Sequence, residues 1–173
     1  ARMGLVRSFQ ISAVFAHLTV RENVRIALQR ARGRSFDFWV SDSVLRTLDA
    51  RADELIAAVG LAGFEKTHAG ELAYGRKRAL EIATTLALEP EMMLLDEPTA
   101  GMTHDDVDRI TALIKRVAKD RTVLMVEHNL SVVSTLSDRI TVLARGEVLA
   151  EGDYATVSKH PKVVEAYLGT AHG

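Results

Sequence analysis

Apolar residues recur along this chain with two different periods, and the alternation between the periods lays out the fold. Helical spacing comes first. Val24, Ala27 and Leu28 mark one face of a helix over residues 20–30. Leu45, Leu48, Ala52, Leu55, Ile56 and Val59 mark a longer helix over 43–59, which Gly60 and Gly63 close. Residues 33–42 form a break between the two and hold Phe36, Phe38 and Trp39. A third helix is predicted over 76–88 and stops before Pro90, because the residue ahead of a proline disfavours helical backbone. Thr103 and Asp106 have capping-box spacing. They open a helix striped by Val107, Ile110, Leu113, Ile114 and Val117. Residues 131–137 read as a short helix. A last one begins at Pro161, which suits a first turn, and runs to Leu168 with Gly169 after it.

Between the helices lie continuous apolar runs. Met92-Met93-Leu94-Leu95 and Thr122-Val123-Leu124-Met125-Val126 read as strands buried on both faces. Residues 140–144 and 147–150 flank Arg145-Gly146 and read as a hairpin. Strands alternating with helices predict an α/β fold with a parallel sheet.

Composition narrows the partners. The 173 residues are enough for one domain with a sizeable core, and with aromatics at 5% that core must be aliphatic. Lys plus Arg is 22 and Asp plus Glu is 23, so no basic surplus points to nucleic acid as a partner. There is no cysteine, which excludes disulfides, thiol catalysis and cysteine-held metals. No apolar run approaches the length of a bilayer span, and no signal-peptide pattern opens the sequence. The opening Ala1-Arg2-Met3-Gly4-Leu5-Val6-Arg7 reads as mid-domain sequence, so the chain is expected to be part of something longer.

Both buried strands run into ionisable residues, Asp96-Glu97 and Glu127-His128. In parallel α/β sheets, ligands bind beyond the carboxyl ends of strands, so Asp96, Glu97 and His128 are expected to face one crevice. Those residue types suit hydrolysis of a nucleotide. Mg²⁺ takes hard oxygen ligands, which Asp96 offers. The attacking water needs a group to orient or deprotonate it, which Glu97 offers. A polar contact to the γ-phosphate senses its presence, which His128 offers. Upstream, Leu72-Ala73-Tyr74-Gly75-Arg76 precedes a helix, and a glycine-containing turn there presents backbone N–H groups to phosphate. Taken singly, each piece has a plain reading: acids that cap a loop, a surface histidine, a simple helix start. The argument lies in their order, which runs Gln10, 72–76, 92–97, His128.

That ordered set resembles the Q-loop, signature motif, Walker B strand with catalytic glutamate, and switch histidine of ABC (ATP-binding cassette) ATPases. Ser8-Phe9-Gln10 resembles the Q-loop, and 18–24 the segment after it. Leu72-Ala73-Tyr74-Gly75, the long insert before it, and Val164-Glu165-Ala166-Tyr167-Leu168-Gly169 resemble the ATPases of branched-chain amino acid importers. Residues 98–103 are also similar to those of urea and amide importers. The resemblance implies a P-loop NTPase-like parallel sheet plus an α-helical signature subdomain, at about 14–90, with 91–173 as the C-terminal part of the RecA-like core. It implies ATP and Mg²⁺ as ligands, and ATP hydrolysis driving import. Gln10 and Asp96 would serve Mg²⁺, Glu97 the attacking water and His128 the γ-phosphate. Leu72, Ala73, Tyr74, Gly75 and Arg76 would face the ATP of a second cassette subunit. The partners implied are that subunit and transmembrane permease subunits, at the inner face of the cell membrane.

Three departures qualify the resemblance. Nowhere in the 173 residues is there Gly-x-x-x-x-Gly-Lys followed by Ser or Thr, the loop that cradles phosphate. Arg76 stands where the signature usually has glutamine. Gly101-Met102-Thr103 stands where many relatives have an aspartate. The missing loop leaves an alternative, a non-catalytic interaction module that binds no ATP by itself, and implies open sheet edges through which the chain self-associates. An ABC ATPase of DNA repair is disfavoured, since no coiled-coil or zinc-binding insert is present.

Overall fold

The computed structural model describes residues 5–7, 14–31 and 42–168. Gln10, the aromatics Phe36, Phe38 and Trp39, and Gly169 lie outside the described residues. The chain divides into two compact units, Ala1–Val126 and Glu127–Gly173.

The first unit carries a parallel three-stranded sheet in the order β1 (Leu5–Arg7), β2 (Met92–Asp96), β3 (Thr122–Val126). The short β1 pairs Leu5 with Met92, and β2 pairs Met92 with Thr122 through to Asp96 with Val126. The same unit holds α1 (Val20–Ala31), α2 (Asp42–Ala58), α3 (Tyr74–Leu86) and α4 (His104–Val117), with α1 and α2 packed on each other and on α3, and α3 packed on α4. Most described positions of the predicted stripes are buried, with Val107 and Val117 of α4 half-buried. Leu48, Ala52, Leu55, Ile56 and Val59 from α2 and its end, and Ile110, Leu113 and Ile114 from α4, are all below a tenth exposed. Thr103 caps α4 as the spacing required, its hydroxyl accepting the Asp106 N–H at 3.4 Å.

Two expectations change. Helix α3 starts at Tyr74, two residues before the predicted start, so Gly75 lies inside its first turn rather than ahead of it. The strands are not buried on both faces. In β2, Met93 and Leu95 are buried while Met92 and Leu94 are half-buried. In β3, Leu124 is 54% exposed and Val126 61%. Among the described residues β3 pairs only with β2, so it is an edge strand whose second face is open. Continuous hydrophobicity alone does not distinguish that case from a central strand.

A clamp in front of α3 was not predicted. Thr19 and Glu22 form a reciprocal capping box at the start of α1, with Thr19 N–H to Glu22 Oε2 at 2.7 Å and Glu22 N–H to Thr19 Oγ1 at 3.3 Å. The buried Asn23 amide donates to the carbonyls of Phe15, Leu18 and Thr19 and accepts from the Phe15 N–H. Main-chain bonds from Val20, Arg21, Ala69 and Gly70 then tie this loop to the segment leading into α3. Arg21 grips Asp53 with both sides of its fork, at 2.7 and 2.9 Å, which fixes α1 against α2.

The second unit holds α5 (Leu130–Leu136), the hairpin β4 (Ile140–Ala144) and β5 (Glu147–Gly152), α6 (Tyr154–Val157) and α7 (Pro161–Leu168). Arg145 and Gly146 both have positive φ, as the predicted two-residue turn needs.

Candidate functional site

Strand β2 delivers its acids by simple alternation. With Met93 and Leu95 packed inward, Asp96 ends the strand half-buried, and Glu97 is the first residue beyond it. Glu97 adopts φ 42°, a left-handed backbone that non-glycine residues rarely take. Its N–H donates to the Val126 carbonyl at 2.8 Å, and its carbonyl accepts the Ala100 N–H at 3.1 Å. Such a conformation persists only where neighbours over-determine it.

The turn over residues 72–76, expected to be the signature, lies at the N-terminus of α3. Leu72 is buried and anchors it; Ala73 and Arg76 are exposed, and Tyr74 is 53% exposed. Ala73 is the N-cap and has no side-chain acceptor to offer the first-turn N–H groups. The Arg76 guanidinium lies 4.3 Å over the Phe64 ring, a cation–π contact that the sequence reading, which allowed it a phosphate role, did not foresee.

One turn further along α3, Arg78 is buried with Glu81, both 6% exposed, at 2.5 Å. Its Nη2 donates to the Asp96 carbonyl at 2.9 Å and its Nε to the Pro98 carbonyl at 3.3 Å. The sequence reading missed this residue. The signal was there: Arg78 shares a helical stripe with Ile82 and Thr85, all buried, so a charge there needs fixed partners.

In the second unit, Glu127 accepts the N–H groups of His128 and Asn129 on one carboxylate oxygen, at 3.1 and 3.2 Å. Asn129 in turn caps α5. His128 is exposed at the head of that turn.

The donor set suits Mg·ATP in part. Asp96 and Glu97 supply hard carboxylate oxygens, and the first turn of α3 supplies N–H groups. Among the described residues no group of three or more His, Asp or Glu could hold a metal alone. No helix among the described residues is long and apolar enough to cross a membrane.

A parallel sheet with acids at the end of its middle strand, and a glycine-bearing helix start beside it, make this an α/β protein of the kind found in ATP-binding cassettes. Comparison with known proteins agrees. Residues 1–100 match the ABC transporter family, and 147–173 match the C-terminal segment of branched-chain amino acid ATP-binding cassette transporters. The chain belongs to the ABC transporter family. It is 36% identical over 178 residues to the high-affinity branched-chain amino acid transport ATP-binding protein BraF of Pseudomonas aeruginosa, covering 99% of this chain and 70% of that protein. The ADP conformation of MJ1267, an ATP-binding cassette of an ABC transporter, superposes with a TM-score of 0.77 at 26% identity over 97% of this chain and 69% of that one. The dimeric post-hydrolysis state of the cassette MJ0796, bound to ADP and Pi, gives 0.69 at 26% identity over 86% and 62%.

Proposed function

We propose that the chain is the larger part of an ATP-binding and hydrolysing subunit that powers import of branched-chain amino acids or related solutes. The observation that carries this reading is the end of β2, where Asp96 closes a parallel strand and Glu97 follows it, held at φ 42°. The match to BraF over 99% of the chain supports the solute class.

Under this reading residues 14–90 form the helical subdomain that meets transmembrane permease subunits, and 91–173 belong to the nucleotide-binding core. Bound Mg·ATP supplies the phosphoryl group and its charge. Gln10 and Asp96 contact the Mg²⁺ or its waters, Glu97 polarises the attacking water, and His128 holds the γ-phosphate. Leu72 to Arg76 face the nucleotide of a second cassette subunit; the dimeric state of MJ0796 supports the pairing of cassettes. The subunit sits peripherally on the inner face of the membrane.

A second reading has its own observation, the lack of a Gly-x-x-x-x-Gly-Lys loop in these 173 residues. On that reading the chain by itself is an interaction module that supplies only the signature half of a composite site. Calorimetric titration of the chain with ATP, with and without Mg²⁺, tests the second reading: no heat supports it, and saturable heat overturns it and means that phosphate is held by another route, such as the turn at Arg76. For the subunit that carries this sequence, Glu97→Gln is expected to cut turnover by about 10²-fold or more with ATP binding retained. Substantial residual hydrolysis refutes the assignment of Glu97. His128→Ala is expected to lower turnover severely, and near-normal transport refutes that role.

A further inference from the structure

We propose that Arg78 is a positioning residue that sets the backbone of Glu97 from the signature helix. The proposal rests on the reading of Glu97 as the water-polarising group and of the turn before Arg78 as the signature.

The geometry is a bracket. The Arg78 fork donates to the carbonyls of residues 96 and 98, one on each side of Glu97. The N–H and carbonyl of Glu97 itself are taken by the Val126 carbonyl and the Ala100 N–H. The peptide units around Glu97 are therefore pinned from three directions: β3, the following turn and α3. Only the last of these varies with the placement of the signature helix. Glu81, one turn along α3, holds the far side of the guanidinium at 2.5 Å and stops it from rotating away.

Energetics favour a geometric purpose over a stabilising one. Two opposite charges at 6% exposure give up most of their hydration, and a well-packed apolar pair would serve stability as well or better. A planar fork with donors in fixed directions can hold two carbonyls in set positions, which an ammonium group cannot. Since α3 is rigid over the single turn from Tyr74 to Arg78, a shift of the signature turn on meeting a partner's nucleotide passes directly to Asp96 and Pro98. Glu97 has an unfavourable φ to lose, so the turn responds to small displacements.

Two variants test this without any nucleotide. Arg78→Lys keeps the charge opposite Glu81 but cannot bracket both carbonyls. Arg78→Met with Glu81→Leu removes the charge pair together, so neither partner is stranded. Amide hydrogen exchange and the HN–Hα coupling of Glu97, which reads φ, are measured in the 173-residue chain. In both variants the Glu97 coupling should change, and the Glu97 and Ala100 amides should exchange about 10-fold faster or more, while Ile82 and Ala83 inside α3 stay within about 3-fold. An unchanged turn overturns the proposal, and so does equal loosening of α3 and the turn, which marks a merely structural role. Substantial hydrolysis by Glu97→Gln in the subunit that carries this sequence would remove the functional reading but leave this result standing, so the two failures are distinguishable.

Discussion

The carboxyl carbon of Asp106 lies 2.6 Å from the point where a β-carbon on Gly75 would sit. The first turn of α4 thus rests on the first turn of α3 at a distance that only glycine permits. Asp106 is not free to retreat. Its Oδ2 accepts from the Thr103 hydroxyl at 3.2 Å, its N–H is held by the same residue, and Arg109 stands 3.6 Å from Oδ1. An acid against a helix N-terminus is also electrostatically favoured.

A sign reversal follows for Gly75→Ala. In an unobstructed helix, alanine is more stable than glycine by roughly 0.5–1 kcal/mol. Here the added carbon must displace Asp106, and overpacking of this kind costs about 1–3 kcal/mol. Denaturant unfolding should therefore show Gly75→Ala destabilising the chain, and the penalty should vanish or reverse in an Asp106→Gly background. A penalty that is the same in both backgrounds would place the clash elsewhere.

Glu97 gives a second reversal. Its φ of 42° costs a β-carbon-bearing residue about 1 kcal/mol or more, which glycine avoids. Glu97→Gly and Glu97→Ala both remove the side chain's contacts, so their difference isolates the backbone. Glu97→Gly should be the more stable by about 1 kcal/mol in thermal or chemical denaturation, although both lose turnover. Equal stabilities would mean that the turn relaxes out of the left-handed region once the side chain is gone.

The sequence made this site legible where chemistry follows one element and obscure where it bridges two. Asp96 and Glu97 could be placed because a strand's alternation carries straight into them, and Thr103 because a cap is a local bargain with Asp106. Arg78 and the Asp106–Gly75 contact could not, since each joins residues about twenty or thirty apart through tertiary packing. The degree of burial of β3 was misread for a related reason. A run such as 122–126 is equally apolar in a central strand and at an edge, and only the neighbouring strand decides which it is. Strand β1 gave no signal because three residues are too few to show a period.

Acid sensitivity should appear at the start of α1. The Thr19 N–H, first, and the Thr19 hydroxyl both donate to Glu22 and hold its carboxyl below the ordinary carboxylate range. A lowered folded-state pKa contributes stability that is fully present above the unfolded value, and it is lost as pH falls through the folded value. The stability difference between the native chain and Glu22→Gln should accordingly be constant from about pH 7 down to about pH 5 and shrink below about pH 4. Because Glu22 is only half-buried, the effect is small and is best read locally, from exchange of the α1 amides. A difference that does not vary with pH would show that the capping box is held by the uncharged hydrogen bonds alone.

The open side of β3 predicts association. Among the described residues its outer edge has no strand partner, and on one face of the same strand Leu124 and Val126 are more than half exposed. Unpaired main-chain groups beside exposed aliphatic residues form a template for another copy, and lysine is the residue that commonly blunts such an edge. The 173-residue chain should therefore sediment faster as its concentration rises. The double variant Leu124→Lys with Val126→Lys should stay monomeric over the same range. Both positions are exposed, so these changes should leave the fold intact, with stability altered by no more than about 1 kcal/mol. A native chain that remains a clean monomer at high concentration would overturn the expectation. Association that survives both lysines would move the contact to another surface, such as the exposed Leu143 and Val148 of the hairpin.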